Sequence, residues 1–268
     1  MPGTITVREV LRRVSATLMD SDPQFTRYPE RDMVDFLNDA QRAIYKYLPA
    51  SCSRVDAVRL KPGTLQTIES IPAAFCKPGD GSTPAVPIIG SMLLDVICNM
   101  GADGTVPGRA VRPIPDGRET LDALDPAWHS ASGATAITGY LYDPKAPRHF
   151  HVTPPVHAST QVWVRMAYVA APLTIPNTGT PESPVFHASG ASTLAISVHD
   201  EHVDDLHDYM CARLLMKNSQ FAASTGMSAA AFVALFTSSI NAKAATIMGN
   251  NPNLKKLPFA PEPIGSAS

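Results

Sequence analysis

"TQVWVRMAYVA", residues 160–170, decides the fold class. Val162, Val164, Met166 and Tyr168 fall on one side of an extended chain, and Gln161, Trp163, Arg165 and Ala167 on the other. A period of two marks a strand with one face turned to a core. Two more alternating stretches precede it, "ATAITGYLYD" (134–143) and "RHFHVTPP" (148–155). Three strands spaced by roughly 8–12 residues predict an antiparallel meander, sandwich or small barrel.

Further upstream, "SRVDAVRLKPGTLQTIES" (53–70) also alternates and is split by Lys61-Pro62-Gly63-Thr64, which fits a type II turn and predicts a hairpin. "IIGSMLLDVICNM" (88–100) is apolar enough for a buried strand or a short helix, and its Ile, Leu and Val favour a strand. "RAVRPIP" reads as a short strand, "DGRETLDALDP" as a short helix closed by Pro126, and 174–192 as a long exposed loop.

Both ends of the chain follow a helical period instead. Val7, Val10, Leu11, Val14 and Leu18 make one stripe, and Val34, Leu37, Gln41, Ile44 and Leu48 a second. Val203, Leu206, Met210 and Leu214 make a third, and Phe232, Leu235, Phe236, Ile240 and Ile247 a fourth. Neither terminal pair of helices can bury its stripe alone, so the two pairs are expected to pack as one bundle. The expected architecture is α+β: helices over 1–50 and 199–248, a β-rich insertion over 51–198, and an extended tail over 249–268.

Composition narrows the function classes. Charged residues are 17% of 268 and net charge is −2, which argues against coating nucleic acid with a basic face. Twenty-five prolines are about twice the usual share. They favour turns, edge strands and extended arms over long central helices. The four cysteines, Cys52, Cys76, Cys98 and Cys211, form no CxxC and predict reduced, buried thiols made in a cytoplasm. No signal peptide is read at the N-terminus, and no run is read as approaching the roughly 18 apolar residues of a membrane span.

Two stretches could carry chemistry. His149 and His151 lie two apart on a predicted strand and share a face, with Phe150 turned to the core. A zinc site needs at least a third ligand at about 2.0–2.1 Å, and nothing local supplies one. His157 lies beyond Pro154 and Pro155, which are expected to stop the strand. The pair therefore reads as a solvent- or partner-facing surface, and metal as the weaker alternative. "HDEHVDDLHD" (199–208) resembles HExxH, but its order fails. His202 and His207 are five residues apart, roughly 140° around a helix, and cannot grip one ion. His199 is expected at the helix cap and the acids in the first turn, facing the positive end of the helix dipole. There is no GxSxG, no GxxxxGK[ST] and no GxGxxG opening a helix after a strand. Trp128 and Trp163 read as core or interface aromatics.

"FLNDAQRAIYKYLP" (36–49), "LLDVICNMGADGTVPGRAVRPIPDGRETLDALDPAWHS" (93–130) and "YLYDPKAPRHFHVTPP" (140–155) together resemble the head-to-tail adaptors of short-tailed bacteriophages, the phage adaptor or tail tubular protein A-like family. The resemblance spans most of residues 30–250 as a succession of structural segments. It implies a ring, usually of twelve subunits, docked under the portal, with the tail or nozzle below. Double-stranded DNA passes through the centre without sequence-specific binding. It implies a helical part joined to a β part, no catalytic residues, and a place at the head–tail junction of the virion; no cofactor and no membrane are expected. C-terminal arms in related adaptors reach the portal, which makes Leu254, Lys255, Lys256, Leu257, Pro258 and Phe259 candidate partner-binding residues. The loop at 174–192 departs from the family's more direct path into the C-terminal helices. Two alternatives stand beside this reading: a tail-completion or neck protein without direct portal contact, and a metal-dependent hydrolase using His149 and His151.

Overall fold

The computed structural model describes residues 4–19, 28–79, 84, 86–114, 117–143, 145–176, 194–218 and 223–250. In chain order the helices are α1 (Val7–Thr17), α2 (Glu30–Tyr47), α3 (Gly117–Leu124), α4 (Val203–Asn218) and α5 (Ala223–Asn250). The strands are β1 (Ser53–Arg59), β2 (Gly63–Thr67), β3 (Cys76–Pro78), β4 (Gly90–Met100), β5 (Pro107–Ala110), β6 (Arg112–Pro113), β7 (Gly139–Tyr142), β8 (His149–Val156) and β9 (Trp163–Ala170). The fold is α+β. It divides into a β unit, Ser53–Ala171, and a helical unit formed by Pro2–Cys52 with Pro172–Ser268. The tail proposed over 249–268 begins inside α5, which runs to Asn250; residues 251–268 lie outside the described residues, as do 177–193 of the expected loop.

In the helical unit the first three apolar stripes are buried as spaced. Thr6 caps α1 by accepting from the Glu9 N–H at 3.3 Å, and Val7, Val10, Leu11, Val14 and Leu18 all face inward. α4 packs against α1, α2 and α5, and its Leu206, Met210, Cys211 and Leu214 have no exposed surface. The buried stripe of α2 carries two amides whose partners are backbone. Asn38 accepts from the Ile175 N–H at 2.8 Å and donates to the Ile175 carbonyl at 3.0 Å. Gln41 accepts from the Ser197 N–H at 2.7 Å. These amides replace the strand or helix partners that an irregular segment lacks.

α5 departs from its expected stripe. Ala229, Phe236 and Ile240 are buried, whereas Leu235 is 55% exposed. Leu235, about 100° from Phe236 around the helix, lies at the exposed edge of the stripe. The segment Ser228–Ile247 has mean hydropathy 1.3 and is long and apolar enough to cross a membrane, which corrects the sequence expectation. Counting uninterrupted apolar residues misses it, because Thr237, Ser238 and Ser239 break the run without lowering the average far. Lys243 within it is paired with Asp205 of α4 at 2.6 Å, which ties this helix to the bundle.

That pair belongs to a buried polar cluster. Asp205, 1% exposed, accepts from Ser239 at 2.5 Å, from Lys243 at 2.6 Å and from His202 Nδ1 at 2.9 Å. Burial alone would raise the Asp205 carboxyl, but the hydrogen bonds from His202, Lys243 and Ser239 outweigh it and hold the group below the usual carboxylate range.

The β unit is two sheets over one core. The five-stranded sheet has the order β3-β1-β9-β4-β5 and the four-stranded sheet β2-β8-β7-β6. Val58, Val96, Val164 and Met166 from the first and Phe150 and Val152 from the second join one hydrophobic cluster, which makes the unit a sandwich. Among the described residues every strand pair is antiparallel except β6 with β7. Asn99 of β4 ties the sheets through the Ile137 backbone, accepting from its N–H at 2.9 Å and donating to its carbonyl at 2.7 Å.

Four local expectations are corrected. The turn at Pro62-Gly63 exists, with Gly63 at φ 98°, but β1 and β2 do not pair. β1 continues along β9, with Leu60 N–H donating to Val162 O at 2.8 Å, and the chain then crosses to the other sheet. Gln66 stands in for the missing ladder. It accepts from Lys61 N–H at 2.8 Å and donates to Lys61 O at 2.8 Å and Gly63 O at 3.2 Å. Of the three arrangements expected for the strands over 134–170 the sandwich holds and the meander does not, because β9 inserts between β1 and β4. "RAVRPIP" splits at buried Val111 into β5 and β6, one in each sheet. Pro154 and Pro155 lie inside β8, opposite the irregularity between Gly63 and Leu65 where β2 makes no regular ladder and proline's missing N–H is tolerated.

Gln66→Leu leaves three backbone groups of the crossover without partners and is expected to destabilise the β unit by roughly 2–4 kcal/mol, read by urea unfolding followed at Trp163. In the helical unit the lowered carboxyl of Asp205 contributes stability above its unfolded value near about 3.9, and that contribution is lost as pH falls through the folded value. Asp205→Asn is expected to cost roughly 3 kcal/mol at neutral pH and to flatten the acid limb of a helical circular-dichroism stability profile.

Candidate functional site

Phe150 is 1% exposed and lies in the core, so His149 and His151 share the outer face of β8. His149 is exposed and His151 half-buried. What covers His151 comes from a distant stretch. The 3-10 turn Trp128–Ser130 lies over β8, with Trp128 edge-on to His151 at 5.7 Å between ring centroids and His129 edge-on to it at 6.0 Å. His129 stacks on Trp128 at 3.6 Å. Trp128 is fixed in turn by donating its Nε1–H to Asp122 of α3 at 2.8 Å, and Arg118 pairs with the same carboxylate at 3.2 Å. Burial lowers the protonation range of His151, and the nearby His129, Arg118 and His149 push it the same way. Its Nδ1 is buried and has no hydrogen-bond partner.

The second histidine-rich stretch disperses. His199 caps the 3-10 turn Asp200–His202, and its N–H donates to Ser51 O at 2.9 Å. His202 is buried beside Asp205. His207 meets Thr17 of α1 at 2.8 Å and Asp208 at 3.0 Å. Asp200 turns to the N-terminal segment, accepting from the Thr4 hydroxyl at 2.6 Å and the Thr4 N–H at 2.9 Å. The acids of this turn thus organise chain ends and helix junctions.

Nucleophilic sulfur is disfavoured as well. All four cysteines are buried. Burial pushes the Cys52 thiol up to about 11 and the Cys211 thiol up to about 12. Cys76 is likewise pushed up to about 12 by burial, with the Asp56 charge adding to it. Among the described residues no three His, Cys, Asp or Glu side chains already converge on a single point.

The exposed surface instead offers apolar contact. Only 11% of the Ser228–Ile247 segment of α5 is buried, and Val233 and Leu235 stand 39% and 55% exposed. Trp128 and Trp163 are both buried, Trp128 over the outer face of β8 and Trp163 in a small cluster with Ala57, Cys98 and Met100. The candidate partner-binding residues Leu254, Lys255, Lys256, Leu257, Pro258 and Phe259 lie outside the described residues. Sequence reading missed the exposed face of α5, whose signal was its near-absence of charge, and the approach of His129 to His151, for which spacing carries no signal.

Curated proteins give no match to the chain. A protein-family comparison does, over residues 5–255, which takes in both units: the chain belongs to the SU10 adaptor protein family, a family of phage head–tail adaptors.

Proposed function

We propose that this phage structural protein is a non-enzymatic, ring-forming head-to-tail adaptor that joins the portal to the tail and surrounds the DNA path. Family membership over nearly the whole chain carries the reading. The uncovered apolar face of α5 supports it, because a largely exposed helix of mean hydropathy 1.3 suits a surface that another protein covers. Copies of the chain are the partner that a ring supplies, in the family's usual number of twelve. Ring contacts are heterologous, so a different face of the neighbouring copy must complement it.

The remaining partners are the portal protein above, the tail or nozzle protein below, and double-stranded DNA passing without sequence-specific contact. A net charge of −2 fits a channel that lets DNA slide. Residues 254–259 of the tail are proposed to meet the portal, and the 174–192 loop a neighbour or a tail protein. The chain is made in the host cytoplasm and acts at the head–tail junction of the virion, with no membrane.

Particle mass of the full chain, alone and mixed with its portal protein, tests the assembly. A closed ring in either condition is the expected result, and a monomer in both overturns the reading. Leu235→Asp, on an exposed position, is expected to abolish the ring while leaving the circular-dichroism spectrum unchanged.

A further inference from the structure

We propose that His149 and His151 of β8, together with His129 of the 3-10 turn, form a site for one divalent transition-metal ion of the zinc, nickel or copper kind. The pair on β8 has the right spacing to offer two imidazoles from one face of a strand, and lacks only a third donor. The fold supplies it from twenty residues upstream.

The ring centroids of His129 and His151 are 6.0 Å apart at an interplanar angle of 75°. Two imidazoles that hold one ion at about 2.0–2.1 Å place their centroids roughly 5–6 Å apart, so the separation of these rings suits ligation once their donor nitrogens turn toward one point. The ring nitrogens are not committed elsewhere. Nδ1 of His151 is buried with no hydrogen-bond partner, and Nδ1 of His129 has only a long contact to Thr64 Oγ1 at 3.4 Å. His149, two residues away on the same face, is exposed, so turning its side chain inward is a rotamer change rather than a backbone change. That turn is required, since no three donors converge as the side chains stand.

The donor set chooses the ion. The carboxylate that holds Trp128, Asp122, also pairs with Arg118. Imidazoles alone suit zinc, nickel and copper and do not suit calcium or magnesium, which require oxygen. Three protein ligands leave a position for water or for a donor from another chain. The bound ion would pin the Trp128–Ser130 turn to β8, adding to the ring packing between them.

Trp128 reports the site directly, because His129 stacks on it at 3.6 Å. In a Trp163→Phe form of the full chain, titrated Ni2+ or Cu2+ is expected to quench the remaining tryptophan saturably, and Zn2+ to compete and to raise the melting temperature. His129→Ala, His149→Ala and His151→Ala are each expected to weaken binding by at least about tenfold, while His157→Ala leaves it unchanged. His129 and His149 are exposed, so their variants keep the test valid even where His151→Ala disturbs folding. Absence of saturable quenching overturns the proposal. So does full affinity in His129→Ala, which would leave an ordinary strand pair, or loss of affinity in His157→Ala.

Discussion

The pairing of β1 with β9 is the constraint on which the rest of the molecule depends. Seven residues stand in unbroken antiparallel register, from Ser53 opposite Val169 to Arg59 opposite Trp163. The first residue of the β unit is therefore held beside its last. The cost is closure of a loop of more than a hundred residues, which grows only slowly with length and is offset by a central strand flanked on both sides by β1 and β4. Because the insertion leaves and returns at one place, the N- and C-terminal segments of the chain remain free to build a single helical unit. α4 packing against both α1 and α2 is the result.

Buried polar groups do the joining where regular structure stops. Gln66 completes the crossover from β1 to β2, Asn99 links β4 to the approach to β7, and Asn38 and Gln41 hold backbone on either side of 177–193. Asp56, 3% exposed, accepts from the Tyr168 hydroxyl at 2.7 Å and from Arg54 at 3.0 Å within the five-stranded sheet. Each of these would be expensive if left unpaired, and each fixes one arrangement of chain against its alternatives. Apolar burial supplies most of the stability of both units; these groups specify their topology.

How much was legible in the sequence follows from the range over which each signal acts. The stripes of α1, α2 and α4 were readable because a helix repeats its core face every few residues, and the alternation of β8 and β9 for the same reason. The pairing of strands was not. Lys61-Pro62-Gly63-Thr64 reads locally as a hairpin turn, and only the distant partners Val162 and Phe150 reveal that β1 and β2 part company there. The face of α5 was misread at Leu235 because alanine, small enough for either side, hides which residues pack. The His149–His151 pair was visible by spacing, while the approach of His129 depends on where the turn after α3 settles. No local pattern encodes that position.

The burial of the four cysteines bears on what the protein meets after the host cell is gone. A virion leaves reducing cytosol for oxidising surroundings, where an accessible thiolate would proceed to sulfenic acid or to a disulfide with a neighbouring chain. Three of these thiols are held protonated far above ambient pH by the same packing that builds the two cores. The core therefore serves as chemical shelter. A component that must wait unaltered between release from one cell and contact with the next needs neither a disulfide nor a repair system to do so.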